Sequence, residues 1–143
     1  MQIFDTALIE ERLRDPSVGL ESVFSAADYA TAKSLADFRP NTAYVILISE
    51  RNTADTTQPR FKSAAQATLG VVIAARNYRG QHGAAALQDV TEVVGKVRTA
   101  LVGWSPQGCS PCVWQQGDVM DYDRSNLLWI DVYTTTHVLG GSS

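Results

Sequence analysis

Between Phe61 and Asn77 the chain alternates apolar and polar side chains with a period of two. Odd positions Phe61, Ala65, Ala67, Leu69, Val71, Ile73 and Ala75 are apolar, and only Ser63 breaks the series. Lys62, Gln66, Thr68 and Arg76 fall between them, although Val72 and Ala74 do not follow the rule. Successive side chains of a strand point to opposite faces, so this pattern predicts a strand with one buried face. Such a strand would run about 50 Å at 3.3 Å per residue, more than a small domain needs to bury its own core. Residues 61–69 are therefore expected to project and to pair with something outside the domain. Tyr44–Ile48 is apolar on both faces and predicts a central strand. Arg51–Pro59 is polar and without period, and predicts an exposed loop.

A period of 3.6 takes over from Ala84 to Val102, where Leu87, Val90, Val94, Val97 and Leu101 form a stripe widened by Ala86, Val93 and Ala100. Glu92 and Lys96 form an i,i+4 pair on the wet side. Gly95 inside this helix loses about 1 kcal/mol relative to Ala, so a neighbouring element is expected to pack closely there. Gly103 supplies the helix stop. A first helix is expected in Gln2–Arg14, ended by Asp15-Pro16, and a short extended piece around Leu20–Phe24. Ser25 and Asp28 have capping-box spacing and open a second helix reaching Phe38. Val113–Tyr122, with Gly117 as a bulge, and Leu127–Val138 predict a hairpin closed by more than two residues. Asn77–Gly80 reads as a turn. The order α-β-α-β-β-α-β-β predicts one α+β domain over residues 1–139, with a mostly antiparallel sheet of four to five strands and helices on one face. The Gly140–Ser143 end reads as a flexible tail.

Composition narrows the function without naming it. The chain has 143 residues, 45% hydrophobic and 19% charged, which is globular composition for one domain. A net charge of -3 with scattered basic residues lacks the footprint of a nucleic-acid binder. Met1–Asp15 carries acidic residues from position 5 and no apolar core, so a secretory signal is not expected. No apolar run approaches the roughly 18 residues of a membrane span, and no membrane partner is expected. The two cysteines are then expected to be reduced.

Those cysteines, Cys109 and Cys112 in GCSPC, are the clearest chemical candidates. A reactive C-x-x-C places its first thiol at a helix N-terminus, where the dipole favours the thiolate. Here the pair follows a helix and runs into a strand, which is the wrong context. Zinc would need both cysteines plus His82 and His137, at spacings no common finger shows. Plain loop thiols are the preferred reading; a disulfide, redox or metal role is the alternative. No G-x-S-x-G, P-loop or G-x-G-x-x-G is present. His82 between glycines reads as a solvated turn residue and His137 as a sheet-surface one. Asp118, Asp121 and Asp123 lack the glycine and terminal glutamate of a calcium loop and read as a charged hairpin tip. No catalytic, cofactor or metal residue is assigned, and no cofactor is expected. Trp104 reads as a core anchor, whereas Trp129, Asp131 and Tyr133 share a mixed strand face of the kind that suits a protein interface.

Four segments together resemble the tail terminator proteins of long-tailed bacteriophages and prophages. They are Leu69–Arg79 (LGVVIAARNYR), Gly83–Asp89 (GAAALQD), Ala100–Pro106 (ALVGWSP) and Asn126–Asp131 (NLLWID). The resemblance runs in order over roughly residues 43–138 and is weakest in the first 40 and in 51–60. GCSPC departs from it, standing where such proteins carry small polar residues, which argues against a shared role for the thiols. The resemblance implies a structural virion protein that forms a ring, a hexamer, at the head-proximal end of the tail tube. That ring would terminate tube growth and present a surface to the head connector, without catalysis. It implies assembly in the host cytoplasm, with the tube protein and the connector as partners and with DNA passing through the lumen unbound. Another neck or tube component of similar fold is the alternative. Phe61, Lys62, Gln66, Arg76, Tyr78, Arg79, Trp129, Asp131 and Tyr133 are the expected inter-subunit, tube or connector contacts.

Overall fold

A computed structural model describes residues 3–53, 64–76 and 83–138. The elements are α1 (Ala7–Arg14), β1 (Ser22–Ser25), α2 (Ala26–Thr31), a 3-10 turn (Leu35–Asp37), β2 (Thr42–Asn52), β3 (Ala64–Arg76), α3 (Gly83–Leu101), β4 (Val113–Tyr122) and β5 (Asn126–Val138). The expected turn at Asn77–Gly80, His82 and the tail beyond Gly140 lie outside the described residues.

Local chemistry sets the short elements. α1 stops at Asp15, whose carboxylate accepts from the Ser17 N–H at 2.9 Å and its hydroxyl at 2.7 Å and so closes the turn around Pro16. Ser25 and Asp28 form the anticipated capping box. The second helix is shorter than its periodicity suggests, ending at Thr31. Asp37 explains the break: its carboxylate accepts from the N–H groups of Lys33 at 2.8 Å and Ser34 at 3.1 Å. Those bonds hold the chain out of the helix and restart it as the 3-10 turn.

The sheet order is β1-β2-β3-β5-β4, with β1 parallel to β2 and the other pairs antiparallel. β3 is therefore its centre, and this corrects the expectation of a projecting strand. Ala64 to Leu69 pair with Val138 to Tyr133 on one side, and Ala65 to Leu69 pair with Asn52 to Leu47 on the other. The long alternation of β3 reflects two long neighbours, one of which (β2) continues well past Ile48. Phe61 and Lys62 lie outside the described residues.

The helices occupy both faces, not one. α1 and α3 cover the odd side of β3, where Ile9, Leu13, Val45, Leu69, Val71, Ile73, Val97, Leu101 and Tyr133 form the main core. α2 and the 3-10 turn cover the other side, over Tyr44, Val72, Ala74 and Leu128. There the Tyr44 ring stacks on Phe24 at 5.1 Å and meets Phe38 edge-on at 5.3 Å. The physical reason is that β3 is buried on both sides from Leu69 to Ala75, and an apolar strip needs cover wherever it faces. Val72 and Ala74, the exceptions to the alternation, were the sign of it.

The two helical glycine arguments also separate. A Cβ at Gly95 would have nothing within 4 Å, so no element packs against it, contrary to expectation. Gly103 adopts φ +81° just after α3, as a stop glycine does.

Candidate assembly surface

The sheet has two edges, and they differ. β1 is four residues long, and its Val23 carbonyl accepts from the Arg14 guanidinium at 3.0 Å, which occupies part of that edge. β4 is ten residues long, about 33 Å, and no strand lies beyond it among the described residues. Every residue of β4 except Gly117 is exposed. Val113, Trp114, Val119, Met120 and Tyr122 are 40–52% exposed, and the described residues show only three other large apolar side chains as open. A long edge that presents apolar side chains is a template for another chain. Two register shifts, at Trp114/Gln116 and Val119/Asp121, together with Asp118 and Asp121, restrict which strand it can accept. The shifts flank Gly117, so Gly117 is not itself the expected bulge.

Behind this edge lies a polar cluster centred on Asp131, which pairs with Gly117 on β4 and Val71 on β3. Asp131 is fully buried. Its Oδ2 accepts from Arg98 Nε at 2.9 Å and the Tyr133 hydroxyl at 2.9 Å. Its Oδ1 accepts from Arg98 Nη2 at 2.9 Å, Trp129 Nε1 at 2.7 Å and Trp114 Nε1 at 3.2 Å. The guanidinium also lies 4.5 Å from the Trp114 ring centre, a cation–π contact. Burial pushes the Asp131 carboxyl up, but Arg98 and then the three neutral donors outweigh it and hold it below the usual carboxylate range. Burial and the Asp131 charge push the Tyr133 hydroxyl far up, so it remains a donor. Gly117 admits this cluster: a Cβ there would stand 2.5 Å from Trp129 Cζ2 and 2.7 Å from Asp131 Oδ1.

Among the described residues the expected contact positions divide: Trp129, Asp131 and Tyr133 meet in this cluster, whereas Gln66 and Arg76 do not join them. Trp129 is half-buried, and Asp131 and Tyr133 are completely buried. Their face points at α3, which corrects the reading of an outward interface. A period of two locates a face but not its exposure, and Arg98 supplies the countercharge that lets a carboxylate sit inside. Gln66 is half-buried and Arg76 exposed, near opposite ends of β3. Tyr78 and Arg79, like Phe61 and Lys62, lie outside the described residues. Sequence reasoning missed β4 as a surface, and missed Arg98, Trp114 and Gly117. The available signal was β4 itself, VWQQGDVMDY, which has no apolar face to bury.

The thiols sit in a fastened loop. Cys112 exchanges backbone hydrogen bonds with Gly103 and Trp104 at 3.0 and 2.8 Å, and Ser110 N–H reaches the Thr136 carbonyl at 2.9 Å. Both cysteines are free. Burial pushes the Cys109 thiol up and the Cys112 thiol up to about 11, the reverse of activation. His137 is not on the sheet surface: its ring meets Phe4 edge-on at 5.7 Å and its Nε2 lies 2.8 Å from Glu50 Oε1.

Comparison with known proteins gives three results. A family model described as phage tail terminator protein matches residues 1–143. A chain of the virion of a native gene transfer agent particle superposes with a TM-score of 0.56 at 17% identity. The match covers 93% of this chain and 92% of that one. No curated protein sequence matches.

Proposed function

The chain belongs to the phage tail terminator family, and from that premise we propose that copies of it close into a ring on the head-proximal end of a phage tail tube. The ring, a hexamer by the family resemblance, stops tube growth and offers its opposite face to the head connector. The tube protein is its partner below and the connector its partner above. DNA passes through the lumen without specific binding, in keeping with a net charge of -3. The protein acts by shape and contact, not by catalysis.

The observation that carries this reading is the β4 edge, a ten-residue strand with apolar side chains left open. A protein that works alone gains nothing from such an edge, whereas a subunit of an assembly needs one. Head-to-tail association of one such surface with a different surface of the next copy generates a closed ring when the rotation between copies closes. The thiols, Cys112 buried and Cys109 half-buried, are both pushed up by burial, which argues against the redox alternative.

Adding the purified protein to growing tail tubes, with electron microscopy of tube ends and native mass spectrometry, tests the proposal. Tubes of fixed length bearing a ring at one end are the expected result. Continued tube growth with bare ends would refute it, whereas a monomer in the absence of tubes would not, since the last tube ring can template closure.

A further inference from the structure

Given the ring proposed above, we infer that the acidic edge of β4 seats in the cleft between α1 and α3 of the next copy. β4 carries Asp118 and Asp121 and no basic residue. Asp118 stands opposite Ile130 and Asp121 opposite Leu128, two positions of β5 that share a face. Both carboxylates therefore leave the same side of β4. Both are exposed, and neither forms an ion pair among the described residues. Pairing β4 with β4 would bring four aspartates into one ladder, and like charges across a ladder destabilise it. A two-fold contact of that kind would also close a dimer, not a ring. The surface that receives β4 is therefore a different, basic part of the neighbouring copy.

A cleft of about 370 Å³ between α1 and α3 has that charge: Arg12, Ser17, Lys96 and Thr99 line it, and no carboxylate does. Neutral groups hold both cations. Arg12 Nε donates to the Ala100 carbonyl at 3.0 Å, and its guanidinium lies 5.2 Å from the Trp104 ring centre. Lys96 Nζ donates to the Gly19 carbonyl at 3.1 Å and to Asn41 Oδ1 at 3.2 Å, not to Glu92 one turn earlier. Neither cation has a carboxylate within 4 Å among the described residues. Asp15 attracts Arg12 from farther off, but Ser17 occupies its carboxylate. Two cations fixed in place without a countercharge form a preorganised seat for carboxylates. Gly95 lies in the wall of this cleft, and nothing stands within 4 Å of where its Cβ would be. The position of the cleft also suits a ring. Lys96 reaches Gly19 and Asn41, which precede β1 and β2, whereas β4 closes the opposite edge of the sheet. Four strand spacings, about 19 Å, separate β1 from β4. Surfaces of opposite charge thus lie on opposite sides of the sheet centre, as head-to-tail association requires.

Four variants test this on purified tail tubes, with ring-bearing tube ends counted by electron microscopy and a thermal melt as the check on folding. Asp118→Lys with Asp121→Lys, and separately Arg12→Glu with Lys96→Glu, should each reduce ring loading by about tenfold or more. Combining all four changes restores opposite charges across the contact and should recover most of the loading. Gly95→Glu removes no existing contact and puts a carboxylate beside the two cations, inside the cleft. It should keep the wild-type melt and still cut loading by about tenfold, so it decides the matter if the Arg12/Lys96 pair fails to fold. Wild-type loading by the Asp118/Asp121 variant would show that β4 is not the surface. Wild-type loading by Gly95→Glu, or a folded fourfold variant as defective as either pair, would show that the cleft is not its seat. Absence of rings with the wild-type protein would overturn the ring reading and this inference together, whereas wild-type rings indifferent to these changes overturn the inference alone.

Discussion

Removing the Asp131 carboxylate is the most informative single perturbation. Asp131 accepts five hydrogen bonds from four side chains, one of them a two-pronged guanidinium. In Asp131→Ala the fully buried Tyr133 hydroxyl loses its acceptor, and so does the half-buried Trp129 indole. Breaking a buried ion pair from one side typically costs about 3–5 kcal/mol. The Arg98 side chain is 36% exposed and can turn to water, which places the loss near the lower end, about 3 kcal/mol. That is a large part of the roughly 5–15 kcal/mol of a typical domain, and corresponds to about 10 °C in melting temperature. Asp131→Asn should lose somewhat less, because its carboxamide oxygen can keep the Trp129 and Trp114 donors while Tyr133 turns to accept from the amide.

The same cluster fixes the sign of a pH dependence. The Asp131 carboxyl is held below its usual range in the folded chain. Its contribution to stability is therefore fully present above the unfolded carboxylate value near 3.9 and is lost as pH falls through the lower folded value. Arg98→Met removes the largest of the four groups that offset burial, and the folded carboxyl is expected to rise above the unfolded value. Stability of that variant should then fall as pH rises from about 4 toward neutrality, opposite to the wild-type trend. Urea unfolding at intervals between pH 3 and 8 reads both trends. An Asp131→Ala loss under about 1 kcal/mol, or parallel profiles for wild type and Arg98→Met, would refute the account.

Two further predictions test the close and open positions. Gly117→Ala should destabilise by about 1–3 kcal/mol, because the added methyl meets Trp129, Asp131 and Arg98. Gly95→Ala has open space and should stabilise by up to about 1 kcal/mol; denaturant midpoints measure both. Cys112, 2% exposed and with its thiol pushed up to about 11, should resist alkylation at pH 8 until the chain is unfolded, as mass spectrometry of labelled protein would show.

The order of elements was legible because each is announced locally: the Ser25 box, the α3 stripe, the alternation of β3. What was hidden was how many sides of the sheet needed cover and which strand would be left outside. Apolar Val72 and Ala74 interrupt the alternation by only two residues, yet they are what brings α2 and the 3-10 turn to the second face. Trp129, Asp131 and Tyr133 look equally suited to water and to a buried ion pair. Only Arg98, 33 positions from Asp131 in the chain, decides between them, and no local pattern links the two. β4 gave a negative signal, the absence of any apolar face, and such a signal shows its meaning only once the strand is seen at an edge.

The positions of the clamp and of the open edge are connected. A strand normally joins a domain by burying one of its faces, but β4 leaves nearly every side chain exposed. Its attachment rests on the ladder to β5, on the Gln115 side chain donating to the Thr134 hydroxyl at 2.9 Å, and on the point where Trp114 and Gly117 meet Arg98 and Asp131. Holding the strand through a polar contact leaves the side chains of Val113, Val119 and Met120 open to a neighbour. It also fixes the strand before the neighbour arrives, so less freedom is lost on association. A subunit that must join a ring needs both properties at one edge. If the clamp serves assembly in this way, a variant such as Asp131→Asn should lose ring loading on tubes at temperatures well below its own melting point. Loading that persists up to the melt would show that the clamp stabilises the fold and nothing more.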